Sequence, residues 1–257
     1  MRFRSLSLDE LHIEDERSFR HVGLYDELKQ ALRRDGYRFR VPVTTRAPSW
    51  DRVLFLNLTF WDAGDQGDVL AEAAIPADVV AHVAWHHLAR RALGPASGSA
   101  DGLFLAEAIA SAFDLFLVGR LLGHAPDALF LETQVPAMAD VAEAAGLPEE
   151  GFEALLKDVA ADPDRAFEDL RQLLFDAATT LVGCSGVDAA AEALEPLDRH
   201  RFGPLLHHYE LSNWVLYGRA YAAARLAPDP VVRAFDAALR AAPSALDRLD
   251  QEWISPR

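Results

Sequence analysis

The sequence has one cysteine, Cys184, in 257 residues, so an internal disulfide framework is excluded. Positive charge is also scarce: 25 Lys and Arg stand against 40 Asp and Glu, which gives a formal net charge of −15. A field of that sign repels phosphate and disfavours binding to nucleic acid or to anionic membranes. Residues 1–6 carry arginines with no apolar segment behind them, which predicts no signal peptide and a cytoplasmic protein.

Long uncharged apolar runs are missing as well. The most apolar stretch, residues 103–122, is interrupted by Glu107, Asp114 and Arg120, which predicts a buried helix rather than a membrane span. Neither phosphate-binding glycine motif, GxxxxGK[ST] or GxGxxG, occurs, and the GxSxG motif of serine hydrolases does not occur either. The sequence therefore carries no motif of these nucleotide-binding or serine-hydrolase classes.

What remains is the composition of a folded globular protein, 51% apolar and 25% charged. Apolar periodicity predicts a helix within residues 7–36, strands at 37–43 and 52–61, and an element at 69–75 that is a strand or a helical turn. A helix should begin at Pro76 and end near residue 93. Further helices are predicted at 103–122, 135–145, 148–160, 163–183, 187–196, 203–226, 229–241 and 243–253.

The predicted fold is therefore mainly α (α+β), with a short antiparallel sheet from residues 37–75 followed by a helical bundle. One domain is expected over 1–257, with an α+β part to about residue 75 and a helical part from about residue 76. Nothing in the composition marks a boundary between the two parts.

Two neighbouring helices carry the residues that suggest chemistry. His82 and His86 are four residues apart, so their rings share one face of the first helix. The next helix is apolar almost all round, yet it carries Glu107 and Asp114 on one face. A buried carboxylate is costly unless it is paired or bound to a cation. The spacing of the two histidines is typical of zinc sites on helices, and Glu107 could supply a third ligand.

Residues 52–122, read as strand, loop, histidine helix, loop and glutamate helix, resemble the core of the zincin metallopeptidases with a glutamate ligand. The resemblance implies that His82, His86 and Glu107 bind a divalent ion, with zinc expected. It also implies that Asp114 accepts a hydrogen bond from one imidazole and so orients it. The general-base glutamate of that family would follow the first histidine, where this chain has Val83. The resemblance thus implies a metal-binding protein; if the protein is a hydrolase, its general base comes from another part of the chain.

A second polar cluster, His207, His208 and Glu210, precedes or begins a later helix. These residues, with Tyr209 beside them, are candidates for catalytic proton transfer if the cluster lies near the metal ligands. An aromatic stripe further along the same helix is more typical of a packed core than of a cofactor site.

The alternative is a metal-free helical interaction or scaffold protein in which the histidines are structural and hydrogen-bonded. A small-molecule or peptide-like ligand is compatible with the first hypothesis. Self-association into a homo-oligomer is compatible with both hypotheses.

Overall fold

The computed structural model describes residues 3–43, 67–221 and 226–255. The chain divides into two compact units, Met1–Ala84 and Trp85–Arg257, and the division falls within one continuous helix, Ala77–Leu93. Helices dominate the described residues and the strands are few and short, which confirms the predicted mainly-α class. The prediction of one domain stays a prediction.

The first unit is built on a small sheet and one helix. Strand β1 (Phe3–Ser7) pairs antiparallel with the strand after helix α1 (Gly23–Arg34), β3 (Arg38–Pro42), so that Leu6 lies opposite Phe39. Both of these side chains are buried. Two three-residue strands, β2 (His12–Glu14) and β4 (Ala74–Pro76), pair in parallel.

The sheet differs in part from the predicted one. The strand expected at 37–43 is β3, but its partner is β1, which the sequence did not single out. The strand predicted at 52–61 lies outside the described residues. The ambiguous stretch 69–75 forms a bridge from Val69 to Arg40 and then enters β4.

The second unit is organised around the long helix α3 (Ala100–His124), which follows α2 (Ala77–Leu93) after a short 3-10 turn at Gly94–Gly98. The 3-10 turn ends at Ser99, whose buried hydroxyl accepts the Gly102 N–H at 3.0 Å and caps α3. By length and composition alone, α3 is the one helix among the described residues that could cross a membrane. In its most apolar 18-residue stretch, 78% is buried by the protein, as in a core helix.

Most of the remaining helices pack against α3. In chain order the remaining helices are α4 (Leu129–Ala144), α5 (Glu149–Ala161), α6 (Pro163–Leu181), α7 (Val187–Leu194), α8 (His208–Tyr221), α9 (Pro230–Ala241) and α10 (Ala245–Leu249). Helix α6 makes the most extensive contact with α3, and α5 packs beside it. The approach of α5 is close at Gly119, where a Cβ would lie 2.7 Å from the Val159 carbonyl oxygen.

The predicted helices are confirmed with shifted ends. Helix α3 starts three residues before the predicted 103 and ends two after 122. The helix expected from residue 203 begins at His208, because Gly203–Leu205 forms a separate 3-10 turn. The helix expected at 243–253 is α10 followed by a π-helical turn, Asp250–Ile254.

Candidate metal centre

Helix α2 presents two histidines in one row. Asp78 lies in its first turn and Arg90 and Arg91 in its last, an order that complements the helix dipole. The helix buries Val83, Ala84 and Trp85 on its core side, whereas His82 and His86 are half-buried. The two imidazoles therefore lie at the border between core and solvent, where a ligand can reach them.

Glu107 lies opposite these histidines on α3. Its side chain is 16% exposed, and its Oε1 is 3.5 Å from Nε2 of His86, whose side chain is 30% exposed. One aromatic contact near this pair helps to fix the two helices: the rings of Trp85 and Phe113 meet edge to face with centroids 5.4 Å apart. Sequence reasoning assigned no role to Trp85, which is fully buried and carries this contact.

The three side chains form one group that could hold a metal ion. Each of His82, His86 and Glu107 offers one ligand atom, and these atoms all lie within 4.8 Å of one another. Zinc–ligand bonds of 2.0–2.1 Å in a tetrahedron separate neighbouring ligand atoms by about 3.3 Å. The distance from Nε2 of His86 to Oε1 of Glu107, 3.5 Å, is close to that separation. Small side-chain rotations would therefore bring all three ligand atoms to the spacing of a zinc site.

Asp114 does not belong to this group. It lies seven residues after Glu107 on α3, about 10 Å further along the helix axis, and is half-buried. Its predicted role behind an imidazole stays a prediction. Val83 is 3% exposed, so the helix position that carries the general base in zincins faces the core here.

The second predicted cluster lies around the start of α8, and none of its residues belongs to the ligand group. His207 precedes the helix, and its Nδ1 accepts the N–H of Glu210 at 3.2 Å. His207 and His208 line a cavity, whereas Glu210 is exposed and does not. The catalytic role of His207, His208 and Glu210 stays a prediction.

The chain matches no protein-family model, no curated protein and no solved structure in the comparisons. The resemblance to zincins therefore has one supporting observation, the group formed by His82, His86 and Glu107.

Proposed function

We propose that the protein binds one divalent transition-metal ion through His82, His86 and Glu107. The observation that carries this proposal is the convergence of their three ligand atoms within 4.8 Å. Two imidazoles and one carboxylate are a donor set that suits zinc and other first-row metals. A cation would also favour the charged form of Glu107, whose side chain is mostly buried on a mainly apolar helix.

The same donor set favours a catalytic site over a structural one. Structural zinc sites are closed by four protein ligands, whereas catalytic sites have three and keep a position for water. The proposed activity is therefore hydrolysis of a small or peptide-like substrate, for which a metal ion held by these three residues would supply Lewis acidity, as in zincins. Because Val83 stands where zincins have their base, another residue must accept the proton, and His207, His208 and Glu210 remain the candidates.

One observation favours the metal-free alternative. The 3.5 Å between His86 and Glu107 is also the geometry of an ion pair, which can satisfy both side chains without metal. The protein would then be a helical interaction or scaffold protein. In that case truncating either residue would act only on stability, by about 1–3 kcal/mol for a buried partner left unsatisfied.

Metal content separates the two hypotheses. The protein is purified without a metal-binding tag, and zinc and other transition metals are measured by mass spectrometry in the wild type, His82→Ala and Glu107→Ala. The matched control is His87→Ala, because His87 is a half-buried histidine of the same helix that lies outside the group. We expect near-stoichiometric metal in the wild type and the control, and loss of metal in the other two variants.

Thermal unfolding gives a second measure. A metal that binds only the folded state at 100 times its Kd stabilises it by about 2.7 kcal/mol, so added zinc should raise the Tm of the metal-depleted wild type. His82→Ala should show no such rise. A wild type that contains no metal and whose Tm does not respond to zinc would contradict the proposal and leave the scaffold hypothesis. Hydrolysis is then tested on ester and peptide substrates with the metal-loaded protein and His82→Ala.

A further inference from the structure

Trp85 packs into the core at the position directly before His86, one of the candidate metal ligands. It is fully buried, and its ring meets that of Phe113 on α3 edge to face. Phe113 is also fully buried, and it stacks on Phe116 with centroids 5.0 Å apart and 26° between the ring planes. A large ring inserted against a close-packed row of rings restricts how far its helix can turn about its own axis. The contact with Phe113 therefore restricts the rotation of α2 relative to α3.

The polar atom of Trp85 takes no part in this packing. Its indole N–H is buried, and it donates to no acceptor in the part of the chain that the structure describes. Because an unpaired buried donor destabilises the folded state, the favourable contribution of Trp85 comes from the size and shape of its ring. A phenylalanine ring should therefore be able to take over much of this role.

The rotation of α2 also determines the distance between His86 and Glu107. On the helix, His86 points about 100° away from Trp85. Side-chain atoms lie about 5–6 Å from the helix axis, so a rotation of about 10° moves them by about 1 Å. A metal site holds its ligands to within about 0.5 Å. Even a small rotation of α2 would therefore change the approach of Nε2 of His86 to Oε1 of Glu107, now 3.5 Å, by more than a metal site tolerates.

We propose that Trp85 is a positioning residue of the metal centre. Its ring, held against Phe113, fixes the rotation of α2 at which His86 and Glu107 can bind the same ion. His82 lies in the same row of α2 as His86, so it depends on the same rotation. Trp85 acts through these ligands without binding the ion itself, and its role depends on the metal binding proposed above.

The zinc affinity of the metal-depleted protein, measured by competition with a chelator of known affinity, tests this role. Trp85→Leu removes the ring and should weaken zinc binding by about 10–100-fold, as the loss of groups that orient metal ligands does. Trp85→Phe puts a ring back and should bind zinc nearly as tightly as the wild type. The visible absorption spectrum of bound Co²⁺, which reports the coordination geometry, should change in Trp85→Leu and return in Trp85→Phe.

Two matched substitutions separate positioning from general stability. Phe113→Leu removes the ring that Trp85 contacts and should weaken zinc binding in the same way, and it carries the test if Trp85→Leu does not fold. Phe202→Leu removes an equally buried ring, whose aromatic and cation–π contacts are with His200 and Arg201. It should lower the Tm but leave the zinc affinity and the Co²⁺ spectrum unchanged. All variants are compared below their Tm, with circular dichroism showing an intact fold.

The role of Trp85 is overturned if Trp85→Leu or Phe113→Leu, once folded, binds zinc as tightly as the wild type does. It is also overturned if Trp85→Phe fails to restore binding, or if Phe202→Leu weakens binding equally, since the loss would then follow stability. In each of these cases the wild type still binds zinc, so the metal centre itself stands. A wild type that binds no zinc overturns the metal centre and the role of Trp85 together.

Discussion

Removing the Asp236 carboxylate should destabilise the protein strongly, because it leaves a buried guanidinium without one of its two carboxylate partners. Arg171 on α6 has no exposed side-chain surface. Its Nε and Nη2 donate to the two oxygens of Glu168, and its Nη1 donates to Oδ1 of Asp236 on α9 at 2.7 Å. Arg171 keeps its two hydrogen bonds to Glu168, so the loss is that of one buried charge-assisted hydrogen bond, and Asp236→Ala should lower the free energy of unfolding by about 1.5–3 kcal/mol.

Asp236 also accepts a hydrogen bond from Arg240, which complicates a single substitution. Burial alone would lower the pKa of Arg240, but hydrogen bonds to Asp176 and Asp236 outweigh it and raise the pKa. Arg240 keeps its Asp176 partner when Asp236 is removed, and its side chain is 29% exposed, so this pair should contribute no more than about 1 kcal/mol. Most of the cost is therefore expected from Arg171.

The contribution of Arg171 can be isolated by making Asp236→Ala in a protein that already carries Arg171→Met. In Arg171→Met the buried charge is absent, so Asp236→Ala should cost only the Arg240 part, about 1 kcal/mol. Urea unfolding followed by circular dichroism measures all four proteins of this double-mutant cycle. If Asp236→Ala costs the same in both backgrounds, the loss does not come from the hydrogen bond between Arg171 and Asp236, and the reasoning is wrong.

Three further predictions follow from local contacts. Burial lowers the pKa of His200, and its Nδ1 accepts a backbone N–H, so protonation of this imidazole opposes folding. The free energy of unfolding should therefore fall as the pH drops below about 6.5, the ordinary pKa of histidine. In His200→Asn, urea unfolding should show a flatter dependence on pH in that range. Asp101 is 2% exposed and accepts two hydrogen bonds from Arg233, so Asp101→Ala should cost about 1.5–3 kcal/mol in the same assay, and an unchanged midpoint would contradict it. Gly119→Ala should lower the free energy of unfolding by about 1–3 kcal/mol, and the Tm with it, because the new Cβ would lie 2.7 Å from the Val159 carbonyl oxygen. This cost should outweigh the better helix propensity of alanine.

The elements that could be predicted are those with local signals. Pro76 and Gly94 mark the two ends of α2, and the apolar pattern identifies α3 to within three residues at each end. The pairing of β1 with β3 could not be predicted in the same way. It joins residues more than thirty positions apart across α1, and nothing local in Phe3–Ser7 specifies its partner.

The residues of the candidate site differ in the same way: those with a local signal could be predicted, and the others could not. The spacing of His82 and His86 is a property of one helix, and the cost of burying Glu107 indicated a partner nearby, so these three residues could be identified before the structure. Asp114 shares a helix face with Glu107, but each residue advances the helix by 1.5 Å, and two turns carry it away from the group. Two residues on one helix face are therefore close enough to share a ligand only if they also lie at a similar position along the helix axis. The Arg171–Asp236 pair spans 65 positions and left no local signal.

Val83 separates the metal-binding part of the proposal from the hydrolytic part. A residue that directly follows His82 on a helix is rotated by about 100° from it, and here that rotation places Val83 in the core at 3% exposure. In zincins this position carries the general-base glutamate, and the side chain of Val83 cannot accept a proton. The proposed metal binding would need only His82, His86 and Glu107, whereas the proposed hydrolysis would also need a base from a different element. The two properties can therefore fail separately, and a protein that retains zinc without hydrolysing any substrate would be consistent with the metal centre alone.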